Sequence, residues 1–261
     1  MAKLPLFGVL KIKHCVIFVT MLFFASCKNA PEQLIDLTGR QIAIDSNSRA
    51  IDSIQKFIQP YHDHVENVLD STLAYAPFTI SKTDGPYNTT AGNLMADIVL
   101  SETNPIFKKR TGNNIDLVLL NHGGIRSVIS KGNVTARTAY EVMPFENSVV
   151  VVELTGESLL KMVSYLTKSK RAHPVAGVQI ILNKDNTLKT FTIGGTPVDM
   201  NKSYFVATSD YLVTGGDNMT FFKESLSKTE TDYKIRNAMI DFFTKVDTLS
   251  PKVDLRYYQL Q

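Results

Sequence analysis

Apolar positions recur along this chain with two periods, and the switching between them lays out its elements. From Ser48 to Ser71, Ile51, Ile54, Phe57, Ile58, Tyr61, Val65, Val68 and Leu69 follow helical spacing, which predicts a long amphipathic helix able to bend at Pro60. Tyr75, Phe78 and Ile80 alternate instead, so Ala74 to Lys82 reads as a strand, closed by the turn residues Asp84-Gly85-Pro86. A second helix opens near Thr89-Thr90, whose hydroxyls suit its first free N–H groups, and runs through Gly92-Asn93-Leu94-Met95-Ala96-Asp97. Pro105 falls where that helix is expected to end or kink. Ile115 to Leu120 is an unbroken apolar run of strand length, the pattern of a strand covered on both faces.

The second half continues in the same alternation. Asn133 to Met143 predicts a brief strand and a helical turn, broken by Pro144. Ser148 to Leu154 is β-branched nearly throughout, the strongest strand signal in the chain, and Thr155-Gly156-Glu157-Ser158 then caps a helix through Leu159, Leu160, Met162, Val163 and Leu166. Val175 to Leu182 and Leu188 to Ile193 pair as strands, Ser203 to Ser209 is another, Lys234 to Val246 is a last helix, and Leu255 to Leu260 is an edge strand. Strands and helices intermix without a regular βαβ cadence or internal repeat. The expectation is one compact α/β domain, mixed α+β in character, over residues 49–261.

Residues 1–48 depart from this pattern. Lys3, Lys11, Lys13 and His14 precede the apolar run Cys15 to Phe24, which suits the core of an export signal and is short for a membrane span. Ala25-Ser26-Cys27 follows and resembles the lipobox of bacterial lipoproteins, with Phe24 in place of the usual leucine. That resemblance implies a lipoprotein signal over 1–27, lipid on Cys27, and anchorage to the bacterial cell envelope facing the periplasm or the cell surface. Cys15 would leave with the signal, so the mature protein would hold no disulfide. Residues 28–48, with Pro31, Gly39 and only short apolar stretches such as Leu34-Ile35 and Ile42-Ala43-Ile44, read as a tether with room for one short strand.

Composition adds little beyond confirming scale. The chain has 261 residues, 44% hydrophobic and 20% charged, enough for a sizeable core. Its net charge of +3 is small and the cations are scattered, which argues against a nucleic-acid partner. The densest basic cluster, Lys108-Lys109-Arg110, reads as a solvated helix end.

Candidate chemistry gathers at two places of one design, an apolar strand running into a Gly-Gly loop that carries polar groups. The first delivers Asn121, Gly123, Gly124 and Arg126; the second delivers Tyr211, Gly215, Gly216 and Asp217. Glycine lets the backbone pass close to a ligand. An aromatic face, a carboxylate, an amide and a guanidinium are what a nucleoside site requires: bases stack on rings, ribose hydroxyls bond to carboxylates, and phosphate draws arginine. Phe145, after Pro144, offers a second stacking face. Taken singly, each has a plainer reading: a strand-to-loop turn with a surface arginine, a core phenylalanine, a Gly-Gly-Asp turn. His62 and His64, two residues apart on a helix, point to different faces and cannot share a metal, and no Ser/His/Asp or Cys/His set offers a nucleophile.

In order, Gly92-Asn93-Leu94-Met95-Ala96-Asp97, Asn121-His122-Gly123-Gly124-Ile125-Arg126, Met143-Pro144-Phe145-Glu146-Asn147, Leu154-Thr155-Gly156 and Thr214-Gly215-Gly216-Asp217 resemble the signatures of the C-terminal domain of 5′-nucleotidases. The resemblance runs from about Ala74 to about Phe242. It implies a substrate-recognition domain of mixed sheets with flanking helices, in which Phe145 and Tyr211 sandwich the base, Asp217 holds the ribose, and Asn121 and Arg126 sit near ribose and phosphate. Three positions depart from the family: His122 replaces a glycine, Tyr211 a common phenylalanine, and Tyr87-Asn88-Thr89 stands where an arginine often precedes the Gly-Asn helix. In that family hydrolysis belongs to a separate metallophosphatase domain with two divalent metals, whose Asp-x-His, Gly-Asn-His and Gly-His-x-His ligand clusters have no counterpart here. The expectation is therefore a nucleotide- or nucleoside-binding chain without catalytic or metal-binding residues of its own, working beside a separately encoded metallophosphatase. The alternatives are a surface interaction or nutrient-capture module that kept the fold, and an autonomous hydrolase with an unusual site.

Overall fold

A computed structural model describes residues 14–21, 34, 36–45 and 48–261. The chain falls into two compact units, Met1–Asp52 and Ser53–Gln261. In the first unit residues 14–21 form helix α1, and the described residues 36–45 carry no strand. Cys27 lies outside the described residues. No helix among the described residues is long and apolar enough to cross a membrane.

The second unit is built around a five-stranded mixed sheet in the order β10-β4-β9-β2-β5. These strands are β2 (Leu117–Leu119), β4 (Ser148–Thr155), β5 (Val175–Ala176), β9 (Ser203–Ser209) and β10 (Ser227–Lys234). β2 and β9 run parallel, Leu117 beside Val206, while the other pairs are antiparallel. Alternation along the strands sends side chains into two cores. Val118, Val149, Val151 and Ala207 face α3 (Thr90–Thr111) and α7 (Ile235–Lys245); Leu117, Leu119, Val152, Leu154 and Val206 face α5 (Gly156–Ser169) and a second sheet. Burial on both faces is what the unbroken apolar run at 117–120 requires.

That second sheet has the order β11-β6-β7-β8, from β6 (Val178–Leu182), β7 (Leu188–Ile193), β8 (Thr196–Pro197) and β11 (Tyr257–Gln259). The run 175–182 is thus two strands rather than one. Gly177 divides it at φ +76, where an added Cβ would come within 2.3 Å of the Asp116 carbonyl, and the chain passes from one sheet to the other. A pair, β1 (Thr72–Ala76) with β3 (Gly132–Thr135), completes the strands. β1 is shorter than the expected 74–82 because Pro77 interrupts it; Ile80 keeps only an isolated bridge to Ile129.

One helix outruns its sequence expectation, and another forms as expected without being covered. Thr89 caps α3, accepting from the Gly92 N–H at 3.1 Å, but the helix passes through Pro105 to end at Gly112, φ +82. The carbonyl that Pro105 leaves without its N–H belongs to Ser101, on the exposed side, where water can satisfy it. Arg110 in its last turn is not merely solvated; it donates to the Glu230 and Thr231 carbonyls of β10. α2 (Asp52–Asp70) forms as expected but buries none of its residues.

Candidate functional site

Because β2 and β9 are parallel neighbours, their carboxyl ends open at the same edge of the sheet, and both Gly-Gly loops leave there. After β2, Asn121 leads a short 3-10 turn over His122–Gly124, closed by the Gly124 N–H on the Asn121 carbonyl at 3.0 Å. The Asn121 amide folds back over this turn, so a Cβ on Gly124 would stand 2.9 Å from its oxygen. After β9, α6 (Asp210–Val213) runs into Gly215 at φ +95, and the Tyr211 ring lies so close to Gly216 that a Cβ there would meet it at 2.5 Å. These are the positions where glycine is required.

Asp217 joins the two loops. Its backbone is left-handed at φ 51, unusual for a residue with a side chain, and three groups hold it there. The Tyr165 hydroxyl donates to its carbonyl at 2.8 Å, the Tyr211 hydroxyl accepts from its N–H at 3.3 Å and faces Oδ1 at 3.2 Å, and the Asn121 amide donates to Oδ2 at 2.7 Å. The carboxylate is thereby fixed at the mouth of the first loop.

The third wall comes from the segment after α4 (Ala136–Val142), which carries Phe145 and Asn147. Arg236, only 4% exposed, secures it by donating to the Pro144 and Phe145 carbonyls at 3.2 and 3.3 Å, and by pairing with Glu146. Lys234 binds the same carboxylate, and the two cations hold the Glu146 pKa down to about 2. The Arg236 guanidinium also lies 4.1 Å from the Tyr140 ring centre. The Arg126 N–H donates to the Val142 carbonyl at 2.8 Å, and its guanidinium stands 5.8 Å from the Phe145 ring centre.

The three walls enclose a cavity of about 320 Å³ lined by Asn121, Gly123, Gly124, Arg126, Phe145, Asn147, Tyr211 and Asp217. The five side chains that the sequence singles out, Asn121, Arg126, Phe145, Tyr211 and Asp217, all face it. Phe145 and Tyr211 remain 42% and 44% exposed, leaving ring surface for a planar ligand. Gly215 and Gly216 shape their loop without lining the cavity. His122 does not line it either: its N–H donates to His173 Nδ1 at 3.2 Å and its ring lies 3.2 Å from the Ala172 carbonyl. Burial pushes the His173 imidazole pKa down to about 4, so it stays neutral and accepts at Nδ1. The sequence alone does not point to Asn147, Tyr165 or Arg236 as site residues; Asn147 belongs to the Pro-Phe-Glu-Asn stretch, while the other two reach the site only through the fold. Among the described residues no three His, Cys, Asp or Glu side chains gather as a metal site would need, and His62 and His64 are exposed on α2.

The family model described as 5′-nucleotidase, C-terminal domain, matches residues 70–224. The trifunctional nucleotide phosphoesterase YfkN of Bacillus subtilis is 27% identical over 236 residues, covering 82% of this chain and 16% of that protein. Protein UshA of Escherichia coli is 34% identical over 114 residues, covering 41% of this chain and 20% of its own length. The chain thus matches only a minor part of these curated relatives. Among solved structures, the 5′-nucleotidase precursor of Thermus thermophilus superposes with a TM-score of 0.66 at 22% identity over 80% of this chain and 42% of that one, a likeness of fold. With the family model matching more than half of its length, the chain belongs to the 5′-nucleotidase C-terminal domain family.

Proposed function

We propose that this chain is the nucleotide- or nucleoside-recognition subunit of a split 5′-nucleotidase, held at the cell envelope by lipid on Cys27 and served by a separately encoded metallophosphatase. The observation that carries this reading is the meeting of two half-exposed rings, a fixed carboxylate, an amide and a guanidinium around one cavity. In it, Phe145 and Tyr211 take the two faces of the base, Asp217 accepts from ribose hydroxyls, and Arg126 draws the phosphate. Asn121 keeps the carboxylate aimed across the cavity. A metallophosphatase would supply the metal-activated water; this chain's own residues bind and orient the substrate.

The test is a titration of the purified chain with nucleosides and nucleotides beside a phosphate-release assay. Binding without release, and release once a metallophosphatase encoded nearby is added, is the expected result. Phosphate release by the chain alone would overturn the division of labour. A thermal-shift response to sugars or peptides and none to nucleotides would overturn the ligand class in favour of a surface-capture module. For the anchor, Cys27→Ser should move the protein from the membrane fraction to the soluble one.

A further inference from the structure

The charged side of α2 is the side that its own domain holds. Arg137, on α4, pairs with Glu66 at 2.7 Å and with Asp70 at 2.6 Å. The apolar side is left outward: Ile54, Ile58, Tyr61, Val65 and Val68 are 48–65% exposed, and α2 buries none of its residues.

Those five side chains follow one another by steps of four, three, four and three, and Ile51, just before the helix, adds a further step of three in the sequence. Steps of three and four in alternation average 3.5 residues, the repeat that keeps a narrow stripe aimed at a partner helix; a helix laid on a domain core carries a broader one. In heptad terms Ile51, Ile58 and Val65 take the a positions, all β-branched, and Ile54, Tyr61 and Val68 take the d positions. Every Asp, Glu and Lys of α2 falls at the outward b and f positions: Asp52, Lys56, Asp63, Glu66 and Asp70. Pro60 takes an outward c position, so the Lys56 carbonyl that it leaves without an N–H faces water.

What the flanks of the stripe carry decides what can cover it. The e positions hold Gln55, His62 and Leu69 and the g positions Phe57 and His64, so no carboxylate or lysine borders the seam. Two identical copies can therefore close on each other near neutral pH without opposing like charges. A different helix chosen by charge would need charges at those flanks. A lipid surface would need lysine and arginine along the polar side, where α2 has four carboxylates and one lysine.

We propose that α2 pairs with α2 of a second copy of this chain as a two-stranded coiled coil, with a seam running from Ile54 to Val68. Phe57, whose ring centre lies 5.8 Å from that of Tyr61, widens the seam at its g position. Arg137 holds the domain on the side opposite the seam, so pairing leaves its ion pairs with Glu66 and Asp70 intact. The pairing does not depend on the nucleotide reading given above.

Sedimentation equilibrium of the whole chain over a range of concentrations tests it. The wild-type chain should pass from the mass of one copy toward that of two as concentration rises. Ile58→Glu sets like charges face to face in the seam and should raise the dissociation constant at least about a hundredfold. Asp63→Lys, on the outward side, should leave it within about twofold, and Ile58→Leu should keep the pair. In dilute solution, where the copies are apart, Ile58→Glu should unfold as the wild type does, because the single chain buries nothing on α2. Should Ile58→Glu fail that check, Val68→Glu carries the same comparison. A wild-type chain that stays single at every concentration overturns the inference, and so does pairing that the seam variants leave unchanged. Binding of a single wild-type chain to phosphatidylglycerol vesicles, lost in Ile58→Glu, would give the stripe to a lipid surface. Co-sedimentation of a metallophosphatase with the single wild-type chain but not with Ile58→Glu would give it to that partner; either result overturns the pairing.

Discussion

Tyr211 does two jobs that substitution can separate. Its ring packs on Gly216 and faces the cavity, and its hydroxyl bridges the N–H and carboxylate of Asp217. Tyr211→Ala removes both and should weaken nucleoside binding by about 1–3 kcal/mol, the worth of a base stacked on a ring. Tyr211→Phe keeps the ring and loses only the hydroxyl link, so its loss should stay near about 1 kcal/mol. Calorimetry on the pair measures the split, and equal losses would shift the weight from stacking to the Asp217 brace. His173 sets a second expectation, in pH. Burial lowers its imidazole pKa from 6.5 to about 4, so as pH falls below about 6.5 the unfolded chain takes up a proton that the folded chain refuses. Stability from this group is whole above that range and is lost progressively down to about pH 4, by about 3 kcal/mol in all. Protonation also removes the Nδ1 lone pair that receives the His122 N–H. Melting temperature should fall over this window, and His173→Asn should flatten the profile; an unchanged slope in the variant would place the acid sensitivity elsewhere.

At the scale of elements, the sequence pattern reads what is local and misses what depends on a distant neighbour. The Gly-Gly loops are legible because each keeps its glycines within a few residues of a polar group, Asn121 before Gly123-Gly124 and Asp217 after Gly215-Gly216, and β2 and β4 because their apolar runs are continuous. β10 is not: Ser227–Lys234 is almost wholly polar, an edge strand whose pairing with β4 has no apolar signature. Arg236 and Tyr165 are invisible as parts of the site because they act across 91 and 52 residues of chain. α2 shows a further limit, since its apolar stripe predicts a helix but not what covers it. Ile54, Phe57, Ile58, Tyr61, Val65 and Val68 are all exposed, and Arg137 holds the helix through Glu66 and Asp70 at 2.7 and 2.6 Å. Phe57→Ser or Ile58→Ser should therefore shift stability by no more than about 0.5 kcal/mol, whereas Ile98→Ala, in the core on α3, should cost about 2–5 kcal/mol. Denaturant unfolding of the three variants decides it, and a large loss at Phe57 or Ile58 would mean that the stripe is buried in solution.

At the scale of the whole molecule, one topological fact joins core to cavity: β2 and β9, far apart in the chain, lie side by side and parallel in the central sheet, with Leu117 beside Val206 and Val118 beside Ala207. Their shared direction brings Asn121 and Asp217 within hydrogen-bonding reach, although 96 positions separate them. A ligand held by both loops thus ties together two strands that are themselves buried between both cores. Binding should stabilise the domain as a unit, by about 2.7 kcal/mol at a hundredfold excess of nucleotide over Kd, or roughly 5–10 °C in Tm for a domain of this size. Differential scanning calorimetry should show a single transition that moves as a whole. Phe145→Ala should keep most of the unliganded Tm and lose much of the ligand increment at the same nucleotide concentration, because the ring is half-exposed and faces the cavity. Leu119→Ala should do the reverse: it opens a hole in the buried sheet, lowers the baseline by about 2–5 kcal/mol, and leaves the increment intact wherever the loops still meet. If nucleotide moved only part of the heat absorption and left a second peak in place, the two loops would belong to separately unfolding parts, and the parallel pairing of β2 with β9 would not be what assembles the cavity.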